Sequence, residues 1–110
     1  MEIKFRDGWI HHPDGQFAVG HPVVDARQID DRIIVLFDYM AFPGGEPARN
    51  LFAYTLDGNV LWRADDIGCG TLDAYTNIIS TMPLVVGNFA GFVCSVDVSS
   101  GKVQATCFTK

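Results

Sequence analysis

Apolar and polar positions alternate in short runs along this chain, and turn residues separate the runs. Trp9–His12 is followed by Pro-Asp-Gly at 13–15, and Val23–Ile29 is followed by Asp-Asp at 30–31. An alternation with a period of two predicts strands, because successive side chains of a strand point to opposite faces of a sheet. Similar runs recur about every ten residues, with turn signals between them. The pattern predicts an all-β antiparallel meander of about eight to ten short strands, folded as a sandwich, a half-barrel or two stacked sheets.

Three segments depart from this simple alternation. Residues 33–39 are apolar at nearly every position, which predicts a central strand covered on both faces. Residues 41–50 contain two prolines and two glycines, which predicts a loop longer than a tight hairpin needs. Leu72, Tyr75 and Ile79 would also fit a short helix, so this part of the chain stays open between helix and strand.

One arrangement occurs twice, about 40 residues apart: an extended run, an aspartate, a glycine-containing turn and a second extended run. It includes Leu-Asp-Gly-Asn-Val-Leu-Trp at 56–62 and Val-Asp-Val-Ser-Ser-Gly-Lys-Val at 96–103. The first resembles the closing hairpin of a quinoprotein-type (PQQ-like) β-propeller blade, and the second is similar to its longer-turn form. The resemblance implies two blade-like units, which could share one sheet or face each other. It implies no cofactor, because a propeller needs at least about four blades around its axis.

Length and charge limit the kinds of partner. A length of 110 residues is near the commonest domain size, so we expect residues 1–110 to form one domain. The hydrophobic fraction of 48% argues against a disordered chain. The formal net charge is −5, and residues 64–101 contain no lysine or arginine. Such a surface repels phosphate, which argues against nucleic acid and anionic membranes as partners. It favours a basic protein partner instead.

Cysteine usage and the first residues bear on the compartment. Cys69, Cys94 and Cys107 are odd in number and have no C-x-x-C spacing, as expected for reduced thiols. The first residues contain no apolar run that could serve as a signal peptide. No stretch approaches the ~20 apolar residues that a transmembrane helix needs. A cytoplasmic location is therefore expected.

Candidate catalytic chemistry is sparse. His11, His12 and His21 are the three histidines, and they suggest an alternative: a small His-dependent metal-binding or hydrolytic enzyme. Adjacent histidines in a strand point to opposite faces, so the pair would share one ion only if a turn reoriented it. The serines lack a G-x-S-x-G context, and the glycines lack the lysine of a phosphate loop. We therefore assign no catalytic, cofactor-binding or metal-ligating residue.

The acidic loops are better candidates for partner contacts. Aspartate pairs lie between predicted strands, where they are solvated, and together with nearby acidic residues they could form an anionic rim. Phe42 and Tyr75, with Tyr39 as a further candidate, would supply the aromatic anchors that interfaces favour. The predicted contact set is Asp30, Asp31, Phe42, Glu46, Asp65, Asp66, Asp73 and Tyr75.

Small acidic stand-alone β-domains of this size resemble the bacterial immunity proteins that neutralise toxin domains from neighbouring cells. That resemblance implies a non-enzymatic protein-binding module, an inhibitor that occludes a basic, nuclease-type toxin. Another alternative is a structural β-module that pairs through exposed strand edges into an oligomer. A monomer and a homodimer are both compatible with the sequence.

Overall fold

The chain folds into strands throughout the residues that the computed structural model describes, 3–109. Within that range there are eleven strands, two 3-10 turns and no α-helix. All strand pairs are antiparallel, which confirms the predicted fold class. The strands outnumber the predicted eight to ten because each short N-terminal run forms a strand of its own. They are β1 (Lys4–Arg6), β2 (Trp9–His12), β3 (Gly15–Ala18), β4 (Val23–Ile29), β5 (Arg32–Phe37), β6 (Leu51–Thr55), β7 (Val60–Arg63), β8 (Tyr75–Thr81), β9 (Leu84–Asn88), β10 (Phe92–Val96) and β11 (Val103–Phe108).

The strands form three meanders, each a separate sheet. The first sheet is β1-β2-β3, the middle sheet is β4-β5-β6-β7, and the third sheet is β8-β9-β10-β11. The two repeated sequences supply the last hairpins, β6-β7 and β10-β11, of the middle and third sheets. The repeated units therefore do not share one sheet. A four-stranded antiparallel meander is also the arrangement of a propeller blade, but a relationship to propellers stays a prediction.

The middle sheet is covered on both faces, as the apolar run at 33–39 predicted. Ile34 and Leu36 of β5 lie in the core shared with the third sheet. Ile33, Val35 and Phe37 lie in the core shared with the first sheet. All five are between 0% and 1% exposed. Burial of each such side chain contributes about 1.5–3 kcal/mol, so β5 holds the three layers together.

The turn of the second repeat packs against the tryptophan of the first. Trp62 Nε1 donates a hydrogen bond to the carbonyl oxygen of Val98 at 2.7 Å. Gly101 has φ +77°, and a Cβ placed on it would lie 2.6 Å from the Trp62 ring. Asp97 closes the turn by accepting hydrogen bonds from Ser99 N and Ser100 Oγ, and these bonds lower the pKa of its carboxyl. The glycine of the repeat thus serves both the turn and the sheet–sheet contact.

The segments between strands follow the sequence prediction with two refinements. The strand predicted over 33–39 stops at Phe37, because the Asp38 carboxylate accepts a hydrogen bond from Met40 N and starts a 3-10 turn over Tyr39–Ala41. The ambiguous segment divides into a 3-10 turn, Gly70–Leu72, and the strand β8. Within residues 3–109, neither 3-10 turn is long enough to cross a membrane.

Candidate functional site

The predicted acidic residues lie at opposite ends of the middle sheet. Asp30 and Asp31 form the turn between β4 and β5, whereas Asp65 and Asp66 follow β7. The six residues of β5 separate these ends, about 17–20 Å at strand rise. We call the end with segments 38–50 and 64–74 the loop end, and the end with turns 30–31 and 57–58 the turn end. The expectation of one anionic rim across all these residues is wrong, because the strands of the middle sheet hold the two aspartate pairs apart.

At the turn end, the aspartates have local roles. The Asp31 carboxylate lies 3.3 Å from Nε of Arg32. Arg32 also donates from Nη1 to the carbonyl oxygen of Val98 at 2.9 Å, which ties the turn to the third sheet. Asp30 lines an open depression of about 620 Å³ between β1 and β4. The negative charge at this end is therefore partly balanced by a neighbouring cation.

Asp73 is buried and supports a loop. It is 1% exposed. Its Oδ2 accepts hydrogen bonds from Ile67 N at 2.7 Å and Cys69 N at 3.1 Å, and its Oδ1 accepts one from Asn88 Nδ2 at 3.0 Å. A side chain so enclosed does not reach a partner, which corrects its place in the predicted contact set. Its carboxylate instead fixes the loop that carries Asp66.

Tyr75 is also enclosed, and it corrects a second predicted contact. Its hydroxyl donates a hydrogen bond to the carbonyl oxygen of Asp65. Burial raises the pKa of the Tyr75 phenol, and the nearby Cys94 and Asp73 raise it further. The phenol therefore remains a neutral donor that positions the backbone of Asp65. It is an anchor for the loop, not a surface group.

The loop end carries a cluster of exposed apolar side chains. A depression of about 360 Å³ is lined there by Tyr39, Phe42 and Glu46 from one segment and by Thr71 and Ala74 from the other. Large apolar side chains stand exposed around it, and Met40 is 76% exposed. The rings of Tyr39 and Phe89 contact each other, with centroids 5.8 Å apart. We call this cluster the loop-end patch: Tyr39, Met40, Leu72 and Phe89.

Two other depressions are larger: one of about 660 Å³ lies between the β1-β2 turn and the β3-β4 connection, and one of about 620 Å³ lies between β1 and β4. Their linings do not combine exposed apolar anchors with a group of unpaired carboxylates. Exposed apolar patches rimmed by polar residues are typical of protein interaction sites. The loop end is therefore the candidate site, although its depression is smaller than the other two.

Phe42 lies half-buried at the floor of the depression. Its ring packs against the ring of His21 at a tilt of 39°, with centroids 4.6 Å apart. The guanidinium of Arg63 lies 5.6 Å from the centre of the Phe42 ring and 5.3 Å from that of Phe52, within the range of cation–π contacts. Phe42 thus contacts both the His21 ring and the Arg63 guanidinium and stays partly exposed.

The side chains of two arginines donate hydrogen bonds to backbone carbonyl groups of the loop end. Arg63 donates from Nε to Arg49 O at 2.9 Å and from Nη2 to Ala48 O at 2.8 Å, while Arg49 Nε donates to Ala64 O at 3.0 Å. Burial lowers the pKa of Arg63 from its usual value, Arg49 lowers it further, and Glu46 opposes the shift. The two side chains thus bind carbonyl groups that would otherwise be left at the end of the sheet.

Three exposed carboxylates of the loop end form no ion pair among the described residues, although Arg49 and Arg63 lie nearby. Within residues 3–109, the ion pairs join Arg6 to Asp7, Arg27 to Asp25 and Arg32 to Asp31. Glu46, Asp65 and Asp66 are exposed and belong to none of them. Glu46 and Asp66 line one shallow depression together with Arg49 and Arg63. These three carboxylates are therefore open to an incoming charge.

The histidines do not converge on one point. His12 Nε2 lies 2.9 Å from the carbonyl oxygen of Leu56 at the turn end. His21 packs against Phe37 and Phe42 at the loop end. Within the described part of the chain, no group of three His, Cys, Asp or Glu side chains is placed to hold a metal ion. His12 and His21 therefore lie at opposite ends of the middle sheet.

The three cysteines are free, and only Cys94 is buried. Burial raises the pKa of the Cys94 thiol to about 11, with Asp73 and then Cys69 contributing. Such a thiol stays protonated and unreactive near neutral pH.

Most of the loop-end patch does not follow from the sequence pattern. The pattern indicates Tyr39 as an anchor, but it does not indicate Met40, Leu72 and Phe89 or the hydrogen bonds of Arg49 and Arg63. A signal was present in Tyr-Met-Ala-Phe at 39–42, where large apolar residues stand directly before Pro-Gly-Gly. Large apolar residues within a turn are candidates for exposure because a short turn has no second face to bury them.

Comparison with known proteins gives one finding. The model of a protein family described as a domain of unknown function (DUF7957) matches residues 2–108. No curated protein and no solved structure matches the chain. The family match spans nearly the whole sequence, and its description states no activity.

Proposed function

The chain belongs to the DUF7957 family, and we propose that it is a non-enzymatic module that binds a basic protein through its loop end. The observation that carries this proposal is the loop-end patch, where Met40 is 76% and Phe89 56% exposed beside unpaired carboxylates. Interfaces of soluble proteins combine apolar anchors with a polar rim. The patch would supply the anchors and the three carboxylates the rim.

Charge indicates the sign of the partner. Glu46, Asp65 and Asp66 are exposed at one end of a chain with net charge −5. The two arginines at this end donate to backbone carbonyls and form no ion pair with these carboxylates, although Arg63 interacts electrostatically with Glu46. A basic partner would be steered to this end and would pair with groups that no cation of residues 3–109 holds in an ion pair.

A nuclease-type toxin domain is the partner class that fits this charge. Nucleases bind phosphate, so their active-site clefts carry lysine and arginine, and carboxylates can take the place of phosphates there. The chain would act as a cytoplasmic immunity protein that covers such a cleft. The acidic stretch at 64–101, which lacks lysine and arginine, supports this choice over a nucleic-acid partner.

The two ends of the middle sheet supply a matched test with charge reversals of equal size. Asp65→Lys with Asp66→Lys changes the loop end, and Asp30→Lys with Asp31→Lys changes the turn end; all four side chains are exposed. The probe is the nuclease domain encoded by the gene immediately upstream, with cleavage of a fluorescent nucleic acid as the readout. We expect the loop-end variant to weaken inhibition at least tenfold, about 1.4 kcal/mol, and the turn-end variant to inhibit like the native protein. Equal losses in both variants, or a metabolic enzyme encoded upstream, would contradict the proposal.

The apolar half of the site has its own matched pair. Met40 at the loop end and Met82 in the β8-β9 turn are both highly exposed, 76% and 87%. Met40→Asp is expected to reduce inhibition by at least tenfold, because it replaces an apolar anchor with a carboxylate that must lose its water on contact, and this loss should exceed the attraction to the basic partner. Met82→Asp is expected to have no effect. Neither change removes a buried contact, so the melting temperature of both variants should equal that of the native protein.

A further inference from the structure

One sheet edge is less protected than the other edges, although it also contains one bulge near its start, where Gln104 is the extra residue. Among residues 3–109, β1, β3 and β7 are only three or four residues long, β4 carries a bulge with Asp25 and Arg27, and β8 carries two bulges. β11 (Val103–Phe108) has six residues and no charged side chain, and all but Val103 are exposed. Long, uncharged edge strands pair readily with another strand.

The hydrogen bonds of β11 show which groups are free. Thr109 N donates to Gly91 O at 2.8 Å, and Cys107 lies opposite Val93 in the register. Because bonding alternates along an antiparallel pair, residues 105, 107 and 109 bond to β10. Thr106 and Phe108 therefore direct their N–H and C=O groups away from the sheet. The one irregularity of the pair lies at Ser95/Val96, so residues 105–109 form a regular segment.

We propose that β11 pairs with β11 of a second copy of this chain, antiparallel, with Cys107 on the two-fold axis. Cys107 is the centre of the regular segment 105–109. In this register Thr106 lies opposite Phe108 of the second copy, and the outward groups of these residues form four hydrogen bonds. The third sheet becomes one continuous eight-stranded sheet. The contact is isologous, so it closes at two copies.

The occupant is a second copy because the edge complements itself. Each strand offers the donors and acceptors that the other needs in a symmetric register, and no charge is brought opposite a like charge. Phe108, 57% exposed beside Phe92, gains cover from the second strand. An edge-to-edge contact of this size, below about 1,200 Å² in total, belongs to the weak class. The dimer is therefore concentration-dependent.

This inference is independent of the proposed function. None of the four loop-end patch residues belongs to β11. Failure of nuclease inhibition would leave the dimer standing, and the absence of a dimer would leave the inhibition standing.

Sedimentation equilibrium over roughly two decades of concentration tests the pairing. The native mass is expected to rise from 12.1 kDa toward twice that value. Thr106→Pro removes an N–H that bonds to no atom of its own sheet, so it should stay folded and remain monomeric. Cys107→Pro removes a bond to β10 and is expected to unfold the third sheet, which checks the assignment of bonded groups.

Two substitutions of Cys107 test the pairing even if the proline variant fails to fold. Cys107→Lys places two ammonium groups opposite each other on the axis, and Cys107→Ser keeps the site neutral. The side chain is exposed, so both should fold; the lysine variant should be monomeric and the serine variant dimeric. A native protein that stays monomeric throughout, or a dimer that survives Cys107→Lys, overturns the proposal. Loss of the dimer in Met40→Asp instead would assign self-association to the loop-end patch.

Cross-linking tests the register. Residues directly opposite in a non-hydrogen-bonded pair have Cα atoms about 4.5 Å apart, within the range of a disulfide. Copper phenanthroline oxidises two Cys107 thiols to a disulfide: the thiols release two protons, and the oxidant accepts two electrons. This treatment should give a covalent dimer. Ala105→Cys in a Cys107→Ser background should not cross-link, because residue 105 lies opposite residue 109. Cross-linking through residue 105, or none through Cys107, contradicts the two-fold pairing at Cys107.

Discussion

Asn50 carries the clearest prediction about what holds the middle and third sheets together. The residue is 0% exposed. Its Nδ2 donates to Phe37 O at 2.7 Å and Tyr75 O at 2.8 Å, and its Oδ1 accepts from Tyr75 N at 2.9 Å. The side chain therefore joins the end of β5 to the start of β8, at the base of the candidate site.

Asn50→Ala removes all three hydrogen bonds and leaves one buried donor and two buried acceptors without this partner. Each such loss costs about 1–3 kcal/mol, so we expect the free energy of unfolding to fall by about 3–5 kcal/mol. Urea denaturation followed by far-UV circular dichroism measures the change. Asn59→Ala, in the exposed β6-β7 turn, is the control and should stay within about 0.5 kcal/mol of the native value.

Asn50→Asp separates hydrogen bonding from shape. The carboxylate has the same outline, but near pH 7 it brings negative oxygens to the carbonyls of Phe37 and Tyr75. We therefore expect it to destabilise at least as much as Asn50→Ala, and less at acid pH, where a protonated carboxyl can donate one bond. A loss below about 1 kcal/mol in both variants would show that the three hydrogen bonds do not hold the two sheets together.

Three further predictions concern stability. Gly101→Ala should cost about 2–4 kcal/mol in urea unfolding, since a left-handed φ is combined with a Cβ placed 2.6 Å from the Trp62 ring; an unchanged midpoint would contradict this close approach. Asp73→Asn should cost about 2–3 kcal/mol, because an amide nitrogen cannot accept, and hydrogen exchange should show faster opening of 66–70. Burial raises the pKa of Cys94 from 9.0 to about 11 and also raises the pKa of Tyr75. The unfolded chain therefore loses these protons at lower pH than the folded chain, and the free energy of unfolding should fall as pH rises from about 9 to 11. A urea midpoint that stays constant over that window would contradict the burial of these groups.

Much of the fold follows from local pattern. The apolar run at 33–39 correctly indicated a strand buried on both faces, because no polar residue interrupts it before Asp38. The repeated hairpins were located correctly because aspartate and glycine in a turn have specific conformational roles. Whether the two units share a sheet did not follow, since that depends on contacts such as Trp62 with Gly101, between residues far apart in the chain.

The candidate site was less predictable, for a physical reason. Asp73 and Asp66 look alike in sequence, but the first accepts three hydrogen bonds inside the protein, while the second is exposed. Burial of a carboxylate depends on donors supplied by other loops, here Ile67, Cys69 and Asn88. The separation of the two aspartate pairs likewise needed the direction of β5, which composition does not give.

The loop end, and not the turn end, is the part of the molecule that we propose to bind a basic protein. Two double variants are compared as inhibitors of the upstream-encoded nuclease domain, at equal ionic strength. The loop-end variant carries Asp65→Lys and Asp66→Lys, and the turn-end variant carries Asp30→Lys and Asp31→Lys. The inhibition constant of each is measured beside that of the native protein. We expect a loss of at least about tenfold for the loop-end variant and none for the turn-end variant. Equal inhibition by both variants and the native protein would contradict the proposal.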